Sequence, residues 1–282
     1  TAGALGTERM GSGAVIGENG LVLTIGYLIT EAESLWITTN GGVTVPGHVV
    51  GYDQETGFGL AQALQPMDAP PILRGRSGAL APRDPVILAG AGGLDHAIKA
   101  EIITRREFAG YWEYVLDEAL FTAPAHPNWG GAALITSRGE LAGIGSLLVQ
   151  QVNEAGEVSG ANMVVPIDLL EPIFEDLRTY GRRSGPARPW LGFLVQEVSQ
   201  HLVISGIYDG CPAHAAGLRV GDVILEVDGE RVSGLANLFR RIWSMGGAGV
   251  HVPMTVLRSQ GQIEVDVHTT DRLSCLKSAQ IH

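Results

Sequence analysis

Short apolar runs cut by Gly, Pro and Asn recur along residues 11–180 about every ten positions, the rhythm of an all-β sandwich or barrel. They predict strands at 12–17 (SGAVIG), 20–26 (GLVLTIG), 35–40, 86–92, 97–104, 141–149 and 161–167. The period changes at 168–181 (DLLEPIFEDLRTYG). There Leu169, Ile173 and Leu177 share one helical face, Asp168 stands as N-cap and Gly181 as stop. Residues 182–189 (RRSGPARP) offer no apolar anchor larger than Ala and read as a linker. A second rhythm follows. Strands at 201–208, 222–229 and 262–268 surround an amphipathic helix at 234–245, with Leu235, Leu238, Phe239 and Ile242 at i, i+3, i+4 and i+7. The chain thus divides into 1–181, a linker 182–189, a second unit 190–272, and a tail 273–282 without clear pattern.

Composition agrees with a turn-rich β protein: 39 of 282 residues are Gly, and charged residues are only 17%. The length suffices for two domains with cores of their own. The net charge of −11 is uneven, since residues 1–180 carry 9 basic and 21 acidic groups and residues 181–282 carry 10 and 9. An acidic chain without a basic stripe is a poor nucleic-acid binder. No apolar run reaches the ~18–20 residues of a membrane span, and the chain opens at Thr1 without a signal peptide. Cys211 and Cys275 lie far apart without metal-ligand spacing, so they are expected as free thiols and no metal or other cofactor is expected. The glycines of 90-GAGG-93 lack the lysine of a phosphate loop and read as a turn between strands.

Four segments occur in collinear order: GSGAVIGENGLVLT at 11–24, DQETGFGLA at 53–61, PNWGGAAL at 127–134 and GELAGIGS at 139–146. Together they resemble the HtrA/Deg-type trypsin-like serine proteases. WLGFLV at 190–195, with GCPAHAAGLRVGDVILEVDGERV at 210–232, resembles the PDZ domain that follows the protease in that family. The resemblance covers about residues 10–272. It implies a mainly β fold, a trypsin-like double six-stranded β-barrel followed by an α/β PDZ domain.

A trypsin-like enzyme needs a Ser nucleophile, a His base and an Asp that orients the His. The resemblance locates all three positions, and none holds the required residue. Tyr27 stands at the His position, and a phenol with an ordinary pKa near ~10 is a poor base at neutral pH. Gly57 stands at the Asp position and has no side chain to orient anything. Trp129 replaces the Ser, and an indole is no nucleophile. Pro127 falls where the family's oxyanion hole takes a backbone N–H, which proline lacks. The surrounding frame persists in Thr24, Asp53, Thr56, Asn128, Gly130 and Gly131. The expected reading is a catalytically silent protease homologue. The alternative is an active endopeptidase using other residues, for which His48, His126, Ser77, Ser137, Ser146 and Lys99 are the candidates, or a regulatory subunit of an active homologue.

The PDZ-like unit keeps its parts. Such a domain adds a peptide C-terminus to a sheet edge, with loop N–H groups on the carboxylate and a pocket for the last side chain. Trp190, Leu191, Gly192 and Phe193 match the carboxylate loop. Phe193 and Val195 open the pairing strand, and Leu235, Phe239 and Ile242 supply the pocket from the helix. The plain alternative is that these apolar residues only fill a core. The implied partners are protein C-termini or exposed hydrophobic peptides, and copies of the chain or an active homologue in a homo- or hetero-oligomer. The implied location is the periplasm or another exported compartment.

Overall fold

The computed structural model describes residues 8–152 and 158–276. Two compact units emerge, one of residues 8–107 and 117–184, the other of residues 185–276 together with Phe108–Leu116.

The first unit begins with β1 (Ala14–Gly17), β2 (Leu21–Ile25), a short helix α1 (Gly26–Ile29), β3 (Leu35–Thr38), β4 (Thr44–Tyr52) and β5 (Phe58–Ala63). The five strands form one sheet in the order β1-β2-β5-β4-β3. β2 is buried along its whole length, which is why its sequence is a continuous apolar run rather than an alternation. The next six strands are β6 (Pro85–Ala89), β7 (Ile98–Gly110), β8 (Tyr114–Ala123), β9 (Ala133–Thr136), β10 (Leu141–Val152) and β11 (Val158–Pro166). They close a barrel in the order β10-β11-β8-β7-β6-β9, filled by Leu88, Ile102, Leu120, Leu134 and Val164. The expected six strands are met in this barrel, whereas the first sheet has five among the described residues.

The single helix expected over 168–181 is instead broken. Two 3-10 turns, Ile167–Leu169 and Glu171–Ile173, precede α2 (Phe174–Tyr180). Pro172 explains the break, because it supplies no N–H and disfavours helix at the residue before it. The buried stripe is therefore Leu170, Ile173 and Leu177, not Leu169. Asp168 does not cap this helix. Its carboxylate receives the N–H groups of Ser77 and Gly78 at 3.1 and 2.6 Å.

Part of the predicted linker is fastened to this unit. Arg183 makes a two-pronged ion pair with Asp53, Nε to Oδ1 3.1 Å and Nη2 to Oδ2 3.0 Å. Ser184 donates to Asp176 from both its N–H and its hydroxyl, at 2.9 and 2.6 Å.

The second unit contains β12 (Phe193–Val198), β13 (His201–Ile207), a turn of helix α3 (Pro212–Ala215), β14 (Val223–Val227), β15 (Glu230–Arg231), α4 (Leu235–Ser244), β16 (His251–Arg258) and β17 (Gly261–His268). The sheet runs β12-β13-β14-β16-β17, with β15 beside β14. Ser199 and Gln200, both at positive φ, make the two-residue turn between β12 and β13 that matches strand twist. α4 buries Leu238, Phe239 and Ile242 against the sheet. The Glu197 carboxylate of β12 accepts the N–H of Leu235 at 2.7 Å, a negative group at the helix start.

Candidate functional site

In the first unit, Tyr27 sits in α1, directly after the buried strand β2. The helix is held from outside by Arg9, whose guanidinium donates to the carbonyls of Tyr27 and Thr30. The phenol of Tyr27 donates to the Ser146 carbonyl at 3.0 Å. It also receives a side-chain hydrogen bond from Trp129, whose indole N–H can only donate. Burial pushes the Tyr27 hydroxyl up to about 12, with the Trp129 bond pulling weakly the other way. Gly57 accepts the Gly26 N–H on its carbonyl at 2.7 Å, one residue before Tyr27. The fold thus brings Tyr27 and Trp129 into direct contact and sets Gly57 beside the residue that precedes Tyr27.

Gly57 lies at φ +85°, a conformation costly for residues with a Cβ. The nearby Asp53 cannot serve in its place. Asp53 is buried and spent on Arg183 and on the Thr56 N–H at 2.8 Å.

The loop at 127–131 is pinned by its own backbone. Ser12 donates to the Gly130 carbonyl at 2.7 Å, Gly131 donates to Gly145 at 2.9 Å and Ala132 donates to Trp129 at 3.0 Å. Asn128 turns its N–H onto His126 Nδ1 at 3.0 Å. That bond makes Nδ1 the acceptor, so Nε2 carries the proton and donates to the His96 carbonyl at 2.7 Å. Asn162 holds the backbone N–H and carbonyl of His126 from the other side.

The remaining candidates are dispersed. His126 is buried with both ring nitrogens engaged. Ser77 is buried, and its hydroxyl accepts the Asp168 N–H at 3.3 Å. His48, Lys99 and Ser137 are exposed on β4, on β7 and beyond β9 respectively. Ser146 is buried, and its carbonyl serves Tyr27.

In the second unit, the N–H groups of Leu191, Gly192 and Phe193 converge on one carboxylate, that of Glu113. Gly192 reaches Oε1 at 2.9 Å and Phe193 reaches it at 3.4 Å, while Leu191 reaches Oε2 at 3.1 Å. Gly192 makes this possible at φ +78°, where a Cβ would lie 2.6 Å from that of Cys211. The next outward N–H, that of Val195, donates to the Tyr111 carbonyl at 2.9 Å. Leu191, Phe193, Val195, Phe239 and Ile242 share one buried cluster with Val115, and Leu235 packs against it. Trp190 stands apart. It bridges to Thr270 through its backbone and packs its ring against Tyr208, with Arg272 over it. Cys211 and Cys275 are free thiols close enough to hydrogen-bond, a proximity their sequence separation did not suggest.

Glu113 is the member of this constellation that the sequence does not single out. It is 3% exposed and at φ +60°, an uncommon conformation for a side chain of its length. Burial pushes its carboxyl up to about 7, against the pull of the three backbone N–H groups and of Arg272. Its only signal in the sequence is an acid set among aromatics, Tyr111, Trp112 and Tyr114, between two strands.

Residues 11–144 match the family model of the trypsin-like peptidase domain, and residues 203–258 match that of the PDZ domain. A probable periplasmic serine endoprotease, DegP-like, from Halomonas elongata is 28% identical over 277 residues, covering 94% of this chain and 57% of that protein. The Pseudomonas fluorescens protein of the same description is 26% identical over 273 residues, covering 92% of this chain and 56% of the relative. The chain therefore spans a little over half the length of these relatives. Among solved structures, the HtrA-type protease AlgW with decapeptide aligns at TM-score 0.57 and 20% identity, over 95% of this chain and 83% of that one. The serine endoprotease from Yersinia pestis aligns at TM-score 0.51 and 23% identity, over 93% and 89%. The chain is accordingly similar to the HtrA/DegP-type serine proteases, its residues 11–144 matching a trypsin-like peptidase domain and its residues 203–258 a PDZ domain.

Proposed function

We propose that this chain is a catalytically silent protease homologue and acts as a binding scaffold, its PDZ domain taking protein C-termini or exposed hydrophobic peptides in quality control or regulation of the cell envelope. The contact between Tyr27 and Trp129 carries the reading. Acyl transfer at a serine needs a group that accepts its proton and a hydroxyl that attacks. Here the hydroxyl at the base position donates a hydrogen bond to the Ser146 carbonyl, and an indole stands at the nucleophile position. No side chain at Gly57 orients a base, and Pro127 offers no N–H to an oxyanion.

The binding half is supported by the donor geometry of Leu191, Gly192 and Phe193, three N–H groups aimed at one carboxylate. The decapeptide named with AlgW supports the same reading. A periplasmic location is supported by the names of the relatives. The relatives are also named endoproteases, so activity is the point to test. The full chain, incubated with casein at neutral pH beside trypsin as control, is expected to release no peptides. Cleavage that a serine-directed inhibitor abolishes would overturn the proposal.

A further inference from the structure

The carboxylate loop of the second unit is occupied by the chain itself. The tip Phe108–Leu116, between β7 and β8, belongs to the same compact unit as residues 185–276. Its contacts copy both parts of peptide recognition. The Glu113 carboxylate takes the N–H groups of Leu191, Gly192 and Phe193. The Tyr111 carbonyl takes the N–H of Val195 on the edge of β12 that does not pair with β13. Val115 enters the apolar cluster of Phe193, Phe239 and Ile242, where a peptide's last side chain would go. The tip is built for this position. Trp112 and Tyr114 stack at 5.5 Å, Tyr111 meets Trp112 edge-on at 4.9 Å, and Glu113 holds a positive φ that aims its side chain into the loop.

We propose that the Phe108–Leu116 tip is a built-in ligand of the PDZ groove, with the Glu113 side chain in place of a terminal carboxylate, and that a peptide C-terminus binds only by displacing it. The proposal rests on the peptide-binding reading above and adds its regulation. A tethered ligand competes at an effective concentration on the order of millimolar, so it lowers the apparent affinity of a micromolar peptide by a large factor.

The test compares the full chain with Glu113→Ala. Each is titrated, by fluorescence anisotropy, with a fluorescein-labelled decapeptide pool randomised except for a C-terminal Val, once as the free acid and once as the amide. The variant is expected to bind the free-acid pool at least about tenfold more tightly than the parent and the amide pool no better. Equal free-acid binding by both proteins would overturn the displacement and leave the peptide reading standing. A gain shared equally by the amide would overturn the assignment of Glu113 to the carboxylate site. Binding of neither pool to either protein would overturn the peptide reading and the displacement with it. Should the variant fail to fold, the parent labelled with 13C at its Glu carboxyls decides. A saturating free-acid pool is expected to move the Glu113 resonance to the position of solvent-exposed Glu. A resonance that stays in place would overturn the proposal.

Discussion

Tyr27 and Trp129 complete each other, an indole N–H donating to a phenol oxygen whose own hydrogen bond goes to the Ser146 carbonyl. Such a pair is a structural feature, and its loss has a structural cost. Trp129 is half-buried, so Trp129→Ala is expected to destabilise the protein by about 1–2 kcal/mol, below the ~1.5–3 kcal/mol of a fully buried large side chain. Thermal unfolding measures it, and an unchanged melting temperature would show that the indole contributes nothing to the loop. Gly57 makes a sharper case. At φ +85° it cannot take back an Asp without strain, so Gly57→Asp is expected to cost about 1–3 kcal/mol while restoring no activity. Denaturant unfolding reads the cost. The sequence singles these positions out because the frame around each is retained, in Thr24, Asn128, Gly130 and Gly131.

The β7–β8 tip is the element whose role was not legible. Glu113 meets backbone groups 78 to 80 residues further on, and no local periodicity carries that information. The 190–193 loop is singled out in the sequence by its family-like pattern, and its Gly192 holds a positive φ. The break at Pro172 was also written in the sequence but outweighed by the apolar spacing around it. Glu113 gives the tip a pH dependence of defined sign. Its carboxyl titrates at about 7 when folded and near ~4.3 when unfolded, so the folded state binds the extra proton and stability falls as pH rises between those values. Two ionisable neighbours stay neutral in that window, since burial raises Tyr208 and pushes Cys211 to about 12. Urea unfolding from pH 4.5 to 8 is therefore expected to show stability declining by at most about 1.4 kcal/mol per pH unit up to neutrality, a slope that Glu113→Gln removes. Parallel curves for the two proteins would contradict the placement of that carboxyl.

On the scale of the whole molecule, a trypsin-like fold and a PDZ fold stand together in one chain, and the proposed loss of chemistry concerns only single side chains of the first. The closed barrel, the turn-pinned 127–131 loop and the buried strand β2 are all in place. Fold class was readable because strand rhythm and glycine-rich turns do not depend on single reactive side chains, which carry little of the packing energy. The serine candidates outside the expected site share one weakness. Ser77 and Ser146 are buried, Ser137 is exposed, and none has a hydrogen-bonded histidine among its described contacts. The direct measurement is intact-mass spectrometry of the full chain after incubation with a fluorophosphonate at neutral pH, with trypsin treated alongside. An unmodified mass is expected for this chain while trypsin is labelled to completion; a single stoichiometric adduct on a serine of the folded protein, not formed when the protein is denatured first, would contradict the proposed silence.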